Sequence, residues 1–295
     1  MTPALNTSPL NAAPDLYAAL RALAATTNAD LPALIAGCDG PTQARLRGLD
    51  QGLLVAILRK VRTGQGVVSA PALRKWLLAQ DFAPMFAPDI AAGATIALLT
   101  GGQRPEMPAF SDRVFDVWFA AQGVPYGLGA YAEDRRVYTS DQFADAGGPE
   151  RRTVHTGIDV FAPAMTRVHA PLAGRVLHVT YNADPLDYGH TLILQHEGDG
   201  AAFFTLYGHL AGTLPGLLQP GDAVAAGQLI CHLGDWHENG GWAAHLHFQV
   251  MTDMLGRSDG NFVGAGHASL WDVWQDICID PDLVMRLGAA RFRVG

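Results

Sequence analysis

Three short stretches of this 295-residue chain hold the side chains that could do chemistry. They are Val154-His155-Thr156-Gly157-Ile158-Asp159, Leu206-Tyr207-Gly208-His209-Leu210 and Ala244-His245-Leu246-His247-Phe248. All 11 histidines lie from position 155 onward, which confines any imidazole chemistry to the second half. Neutral imidazole and carboxylate together suit zinc, a borderline-soft ion that takes N and O donors. On one straight strand, His155 and Asp159 would share a face about 13 Å apart, too far for ligand bonds of about 2 Å. A helix would bring i and i+4 together, but Thr-Gly-Ile is a poor helical sequence. Gly157 offers a third solution, a bend in extended chain that turns both side chains onto one point. In a strand, His245 and His247 face one way while Leu246 faces a core. Spacing alone leaves open which of these two imidazoles binds a metal. Taken singly, each motif fits a solvated histidine beside an acid equally well.

Short strands must position these motifs. From 153 the texture turns to β-branched or alternating runs broken by glycine and proline. Strands are expected at 154–161, 174–181, 190–196, 203–210, 223–224, 229–233 and 245–251, in packed antiparallel sheets. The chain before them is helical in pattern. Asp15 caps a run over 15–23, and Asp30 with Pro32 opens a second helix. Leu46, Leu49, Leu53, Leu54, Ile57 and Leu58 form one apolar stripe over 43–62. Further helices are expected at 71–80, 110–122 and, buried, 90–99. Gly101-Gly102-Gln103-Arg104-Pro105 is the expected boundary. The resulting expectation is α+β: a helical N-terminal domain over 1–105, then a β-rich domain over 106–295. Helical character returns from Trp271, with Asp280-Pro281-Asp282 opening a last helix as a C-terminal extension.

A formal charge of −8 argues against a nucleic-acid phosphate binder. No apolar run reaches membrane-spanning length. The N-terminus lacks the basic and apolar regions of a secretory signal, so the expected location is cytoplasmic. Three scattered cysteines (Cys38, Cys231, Cys278) are too few for a disulfide framework. The basic pairs Arg135-Arg136 and Arg151-Arg152 read as a solvated face, or as contacts to an anionic part of a substrate. Oligomeric state does not follow from the sequence.

The three histidine motifs resemble those of the lysostaphin-type (LytM-like) zinc endopeptidases of peptidoglycan. Ala170-Pro171-Leu172-Ala173-Gly174-Arg175-Val176, Tyr188-Gly189-His190 and Gly221-Asp222-Ala223-Val224-Ala225-Ala226-Gly227-Gln228-Leu229-Ile230 resemble that family in the same order. The likeness covers about 150–251. The stretch from Tyr126 onward also resembles the peptidase-like segment of certain multidomain aminotransferases. The first resemblance implies an antiparallel-sheet catalytic domain with His155, Asp159 and His247 as zinc ligands. It implies His209 and His245 as the non-ligand catalytic histidines. Its reaction would be cleavage of peptide or peptidoglycan-type amide bonds by a metal-activated water. A non-catalytic peptidase-like binding module is the alternative, although all five positions are intact. Biotin or lipoyl carriers share some of the glycine texture, but Lys60 and Lys75 both fall in the helical part.

Two departures from the family pattern stand out. Gln249 occupies the usual place of a glutamate, which bears on the hydrogen bonds behind the metal ligands. The loop over 235–242 carries Trp236, Glu238 and Trp242 where relatives carry small residues, so these three are expected substrate contacts, or else the loop is simply packed.

Overall fold

The computed structural model describes residues 6–100, 106–135, 138 and 140–293. The helical part opens with α1 (Leu16–Ala24), α2 (Leu31–Ala36), α3 (Gly40–Arg47) and α4 (Gln51–Thr63). Each begins behind an aspartate, since Asp15, Asp30, Asp39 and Asp50 accept from Ala18, Ala33, Thr42 and Leu53 backbone N–H groups. Such caps satisfy donors that a helix start leaves unpaired. They also explain why 43–62 is two helices rather than one. Asp50 recaps the chain after Gly48, and Gln51 Nε2 donates to the Leu46 and Leu49 carbonyls across the break. Next comes α5 (Ala70–Leu78), as expected.

The expected helix over 90–99 is instead a strand, β1 (Thr95–Ala97). Gly93 precedes it, and β-branched Thr95 and Ile96 suit the sheet edge, where β1 pairs in parallel with β2 (Tyr126–Gly129). Between them lies α6 (Val114–Ala120), shorter than the expected 110–122. The expected boundary at 101–105 falls outside the described residues.

The site strands follow. They are β3 (Arg152–His155), β4 (Ile158–Phe161), β5 (Arg167–His169), β6 (Gly174–Asn182), β7 (Gly189–Gly198) and β8 (Ala201–Leu210). Beyond them lie α7 (Leu214–Leu217), β9 (Ala223–Val224), β10 (Leu229–His232), β11 (His245–Met251) and β12 (Ala265–His267). The chain finishes with α8 (Trp271–Ile277), β13 (Cys278–Ile279) and α9 (Asp282–Met285). The main sheet has the order β1-β2-β4-β11-β8-β7-β6-β9, with β13 also on β11. All its described pairings but β1–β2 are antiparallel. β5–β10 and β3–β12 form two small antiparallel ribbons. The architecture is therefore α+β, with helices ahead of and behind a β-rich unit.

Two large apolar clusters cross the expected 105/106 boundary. Leu54 and Ile57 share one with Leu206, Met251 and Trp274, while Leu77 and Phe86 share the other with Val160, Leu192 and Leu246. Ion pairs reinforce this contact. Asp276 on α8 takes Lys60 at 2.8 Å and Arg74 at 3.0 Å, and Asp272 takes Arg21 at 2.7 Å.

His196 gives this core a pH dependence. Its two ring nitrogens lie 2.8 Å from the Ala173 carbonyl and 2.8 Å from Thr205 Oγ1, and it is 3% exposed. Burial pushes its pKa down to about 4, with the bond to Ala173 opposing. The unfolded chain therefore takes up this proton first, and stability is lost as pH falls from about 6.5 toward 4. The loss is expected to reach about 3 kcal/mol for this group. Denaturant midpoints between pH 7.5 and 4.5 check it: His196→Gln should flatten the slope by about one proton.

Candidate metal centre

The break between β3 and β4 unites His155 with Asp159. His155 pairs with Ala265 of β12, whereas Asp159 pairs with Gly129 and His247 in the main sheet. Thr156-Gly157 turns the chain between these two sheets, as the bend reading requires. Gly157 is demanded by close approach: a Cβ there would lie 2.7 Å from the His247 ring and 2.8 Å from the Phe248 carbonyl.

Three donor atoms converge as a result. His155 Nε2 lies 3.0 Å from His247 Nδ1 and 3.3 Å from Asp159 Oδ1, and His247 Nδ1 lies 3.1 Å from the same oxygen. A tetrahedral ion with bonds of about 2 Å sets its ligand atoms about 3.3 Å apart. These three residues are the His/Asp group whose donor atoms all fall within 4.8 Å of one another. His245 is not among them, although its Nε2 comes within 4.0 Å of Asp159 Oδ1.

The hydrogen bonds behind the donors decide where the protons sit. A carbonyl oxygen only accepts, so His155 Nδ1, 2.8 Å from the Ala130 carbonyl, carries that ring's proton and leaves Nε2 bare. Gln249 Nε2 donates to the Val263 carbonyl at 3.3 Å, which turns its Oε1 toward His247 Nε2 at 2.9 Å. His247 therefore donates from Nε2 and leaves Nδ1 bare. Burial works against charge on Asp159, but the Arg135 guanidinium at 2.7 Å opposes it, and the carboxyl is held well below its usual range. Three unprotonated acceptors thus face one another in a buried site with no proton between them. A bound cation relieves that repulsion, so the residues fit zinc. Gln249 thus holds the His247 ring from behind, on the side away from the other donors.

His209 and His245 stand beside this trio, with ring centroids 4.2 Å apart. His209 Nδ1 lies 2.8 Å from the Asn239 carbonyl and His245 Nδ1 lies 2.7 Å from the Ala243 carbonyl. Both rings are therefore protonated at Nδ1 and bare at Nε2. Burial is the first cause that keeps them neutral, pushing His245 down to about 4 and His209 well below its ordinary value. His209 adopts a φ of 62°, a left-handed conformation rare outside glycine. Backbone bonds from His209 N–H to Tyr188 and from Gly234 N–H to His209 hold it there at 2.8 and 2.9 Å. Strain of this kind gathers at functional sites.

Arg135 is the residue the sequence reading misplaced. It is 2% exposed and donates from Nη1 to Asp159 Oδ2 at 2.7 Å and to the Tyr138 hydroxyl at 2.8 Å. Its Nε donates to Glu133 at 2.9 Å. The solvated-face expectation is corrected for Arg135, while Arg136 lies outside the described residues. Glu133 two residues before Arg135 was the available signal, since a charge that is buried needs a partner.

All five functional candidates line one cavity of about 300 Å³, together with Arg135, Tyr188 and Trp242. Trp236 and Glu238 do not line it. Trp236 is 8% exposed, packs with Phe110, Phe115 and Phe161, and donates from Nε1 to Asp116 at 2.7 Å. Glu238 closes its own loop by accepting from Gly212 N–H at 2.8 Å and Asp235 N–H at 3.2 Å.

Gly157→Ala tests the close approach. The methyl must displace the His247 ring, as overpacking does in tight sites. Zinc affinity is expected to fall by about 10-fold or more with the fold retained. Calorimetric zinc titration and far-ultraviolet circular dichroism check the two halves.

Residues 153–261 match peptidase family M23. This stretch is an M23 peptidase domain. It takes in every residue of the metal trio, together with His209 and His245. The zinc containing peptidase from Vibrio cholerae is 29% identical over 34% of this chain and 28% of its own, with a TM-score of 0.29. The catalytic domain of the antimicrobial peptidase lysostaphin from Staphylococcus simulans is 24% identical over 42% of this chain and 80% of its own, with a TM-score of 0.29. Lysostaphin itself is 23% identical over 48% of this chain and 47% of its own, with a TM-score of 0.32. The match thus spans under a third of the Vibrio cholerae peptidase and about half of lysostaphin. No curated protein matches the chain. No helix of the described residues is long and apolar enough to cross a membrane.

Proposed function

We propose that this M23 domain is a zinc-dependent hydrolase of amide bonds, acting on peptides of peptidoglycan type or on related short peptides. One observation carries the reading: three bare acceptors converge within bonding distance of one ion, beside two further imidazoles bare at Nε2. His155, Asp159 and His247 hold the metal. Zinc bound there supplies Lewis-acid activation of a water and of the scissile carbonyl. Arg135 fixes Asp159 through its second oxygen, so that the first stays aimed at the metal. His209 and His245, neutral at physiological pH, take the proton from the attacking water and pass it to the departing amine. Their Nδ1 bonds to backbone carbonyls hold Nε2 toward the reacting atoms throughout. The cavity of about 300 Å³, with Trp242 in its wall, favours short substrates.

Product analysis by mass spectrometry tests this. The zinc-loaded protein is incubated with peptidoglycan fragments and with an unbiased short-peptide library. Products formed by addition of one water across an amide bond are expected. Failure to cleave either set would return the chain to the non-catalytic binding-module alternative.

A further inference from the structure

The charges lining the cavity do not balance. Three guanidiniums, of Arg135, Arg152 and Arg257, face two carboxylates, of Asp159 and Asp187. Arg135 is committed to Asp159 and Glu133. Arg257 gives Nε and Nη2 to Asp50 at 3.1 and 3.0 Å, and its guanidinium lies over the Phe262 ring. Asp187 accepts from Asn261 Nδ2 at 2.9 Å, and burial raises its pKa. Arg152 is the member left over. Its Nη2 donates to the Gln142 carbonyl, its Nε is buried with no acceptor, and no carboxylate of the described residues forms an ion pair with it. Burial comes first among the causes that lower the pKa of this guanidinium. The Arg257 charge adds to it, and Asp145 opposes. Asp145 is itself engaged, since it accepts from Tyr17 and Gly147 at 2.7 Å each and lies 3.4 Å from His267.

A half-buried cation beside a like charge, with one buried N–H that meets no acceptor, is stabilised when an anion arrives. We propose that the cavity binds a carboxylate of the substrate on Arg152, with Arg257 as the second donor. A guanidinium presents paired N–H groups that match a carboxylate in both spacing and charge. Arg152 begins the strand that His155 ends, so their α-carbons lie about 10 Å apart. That is the span of about three extended residues. The carboxylate therefore sits within about three residues of the cleaved bond, on a short acidic peptide. This assignment rests on the hydrolase reading only for the position of that bond.

The test reads binding without turnover. Full-length protein stripped of metal is titrated calorimetrically with acetyl-Ala-Ala-Ala, with its C-terminal amide, and with acetyl-Ala-Glu-Ala amide. At least one acid should bind about 10-fold more tightly than the neutral amide. Whichever acid wins tells a chain-end carboxylate from a side-chain one. Arg152→Gln should abolish the preference, and Arg152→Lys should keep part of it. If Arg152→Gln fails to fold, Arg257→Gln carries the test and must reduce the preference. Equal binding of all three peptides by the wild type overturns the proposal, as does a preference that survives the glutamine variants. A protein that prefers the acids yet cleaves nothing contradicts the hydrolase reading and leaves the carboxylate site standing.

Discussion

Asp159→Asn is expected to lower zinc affinity by about 100-fold or more, since changes one shell further out already cost 10- to 100-fold. The carboxylate does two things at once. Oδ1 completes the donor trio at 3.1 and 3.3 Å, while Oδ2 takes Arg135 at 2.7 Å. Asparagine keeps the shape and one oxygen but gives up the charge that both partners use. Asp159→Ala goes further, because it leaves Arg135 buried without that partner. Breaking a buried pair in this way costs about 3–5 kcal/mol. Metal content should therefore fall in both variants, and the unfolding midpoint should drop furthest in the alanine variant. Elemental analysis beside a denaturant melt separates the two effects. Full metal content in either variant would remove Asp159 from the ligand set.

His209→Ala and His245→Ala are expected to keep the metal and lose hydrolysis, by about 100-fold or more each. Neither imidazole belongs to the converging trio, and both are bare at Nε2 because a backbone carbonyl holds the other nitrogen. His247→Ala should lose metal and activity together. Gln249→Ala should fall between these outcomes, since it frees the His247 ring without removing a donor. Equal metal loss in the His245 and His247 variants would mean that both imidazoles of β11 coordinate. Steady-state kinetics on a cleaved peptide, with metal measured on the same samples, distinguishes these cases.

The motifs were legible because their chemistry is local. Gly157 between a histidine and an aspartate implies a bend, and His245-Leu246-His247 implies one strand face. What locks those side chains is not local. The carbonyls that set the tautomers of His155, His209 and His245 belong to Ala130, Asn239 and Ala243. Two of the three sit 25 and 30 residues away, and backbone carbonyls carry no residue signature. Arg135 hid for a similar reason, since its partner Asp159 lies 24 positions on and its neighbours look like a surface pair.

Elsewhere, local capping overruled periodicity. The leucine stripe over 43–62 is continuous in sequence, yet Asp50 ends one helix and starts another. The apolar run near 90–99 could not be told from a buried helix until β2 supplied its edge. Composition left two readings for the loop over 235–242, a substrate wall or a packed loop. Trp236 and Glu238 both engage loop and core contacts.

Stepwise zinc titration of metal-stripped, full-length protein bears most directly on the proposed zinc chemistry, with cleavage of a peptide identified by product analysis followed at each step. Cleavage should be absent without metal, rise with added zinc and reach its plateau at one equivalent per chain. Full cleavage by the stripped protein, or a plateau that needs two equivalents, would contradict a single zinc held by His155, Asp159 and His247.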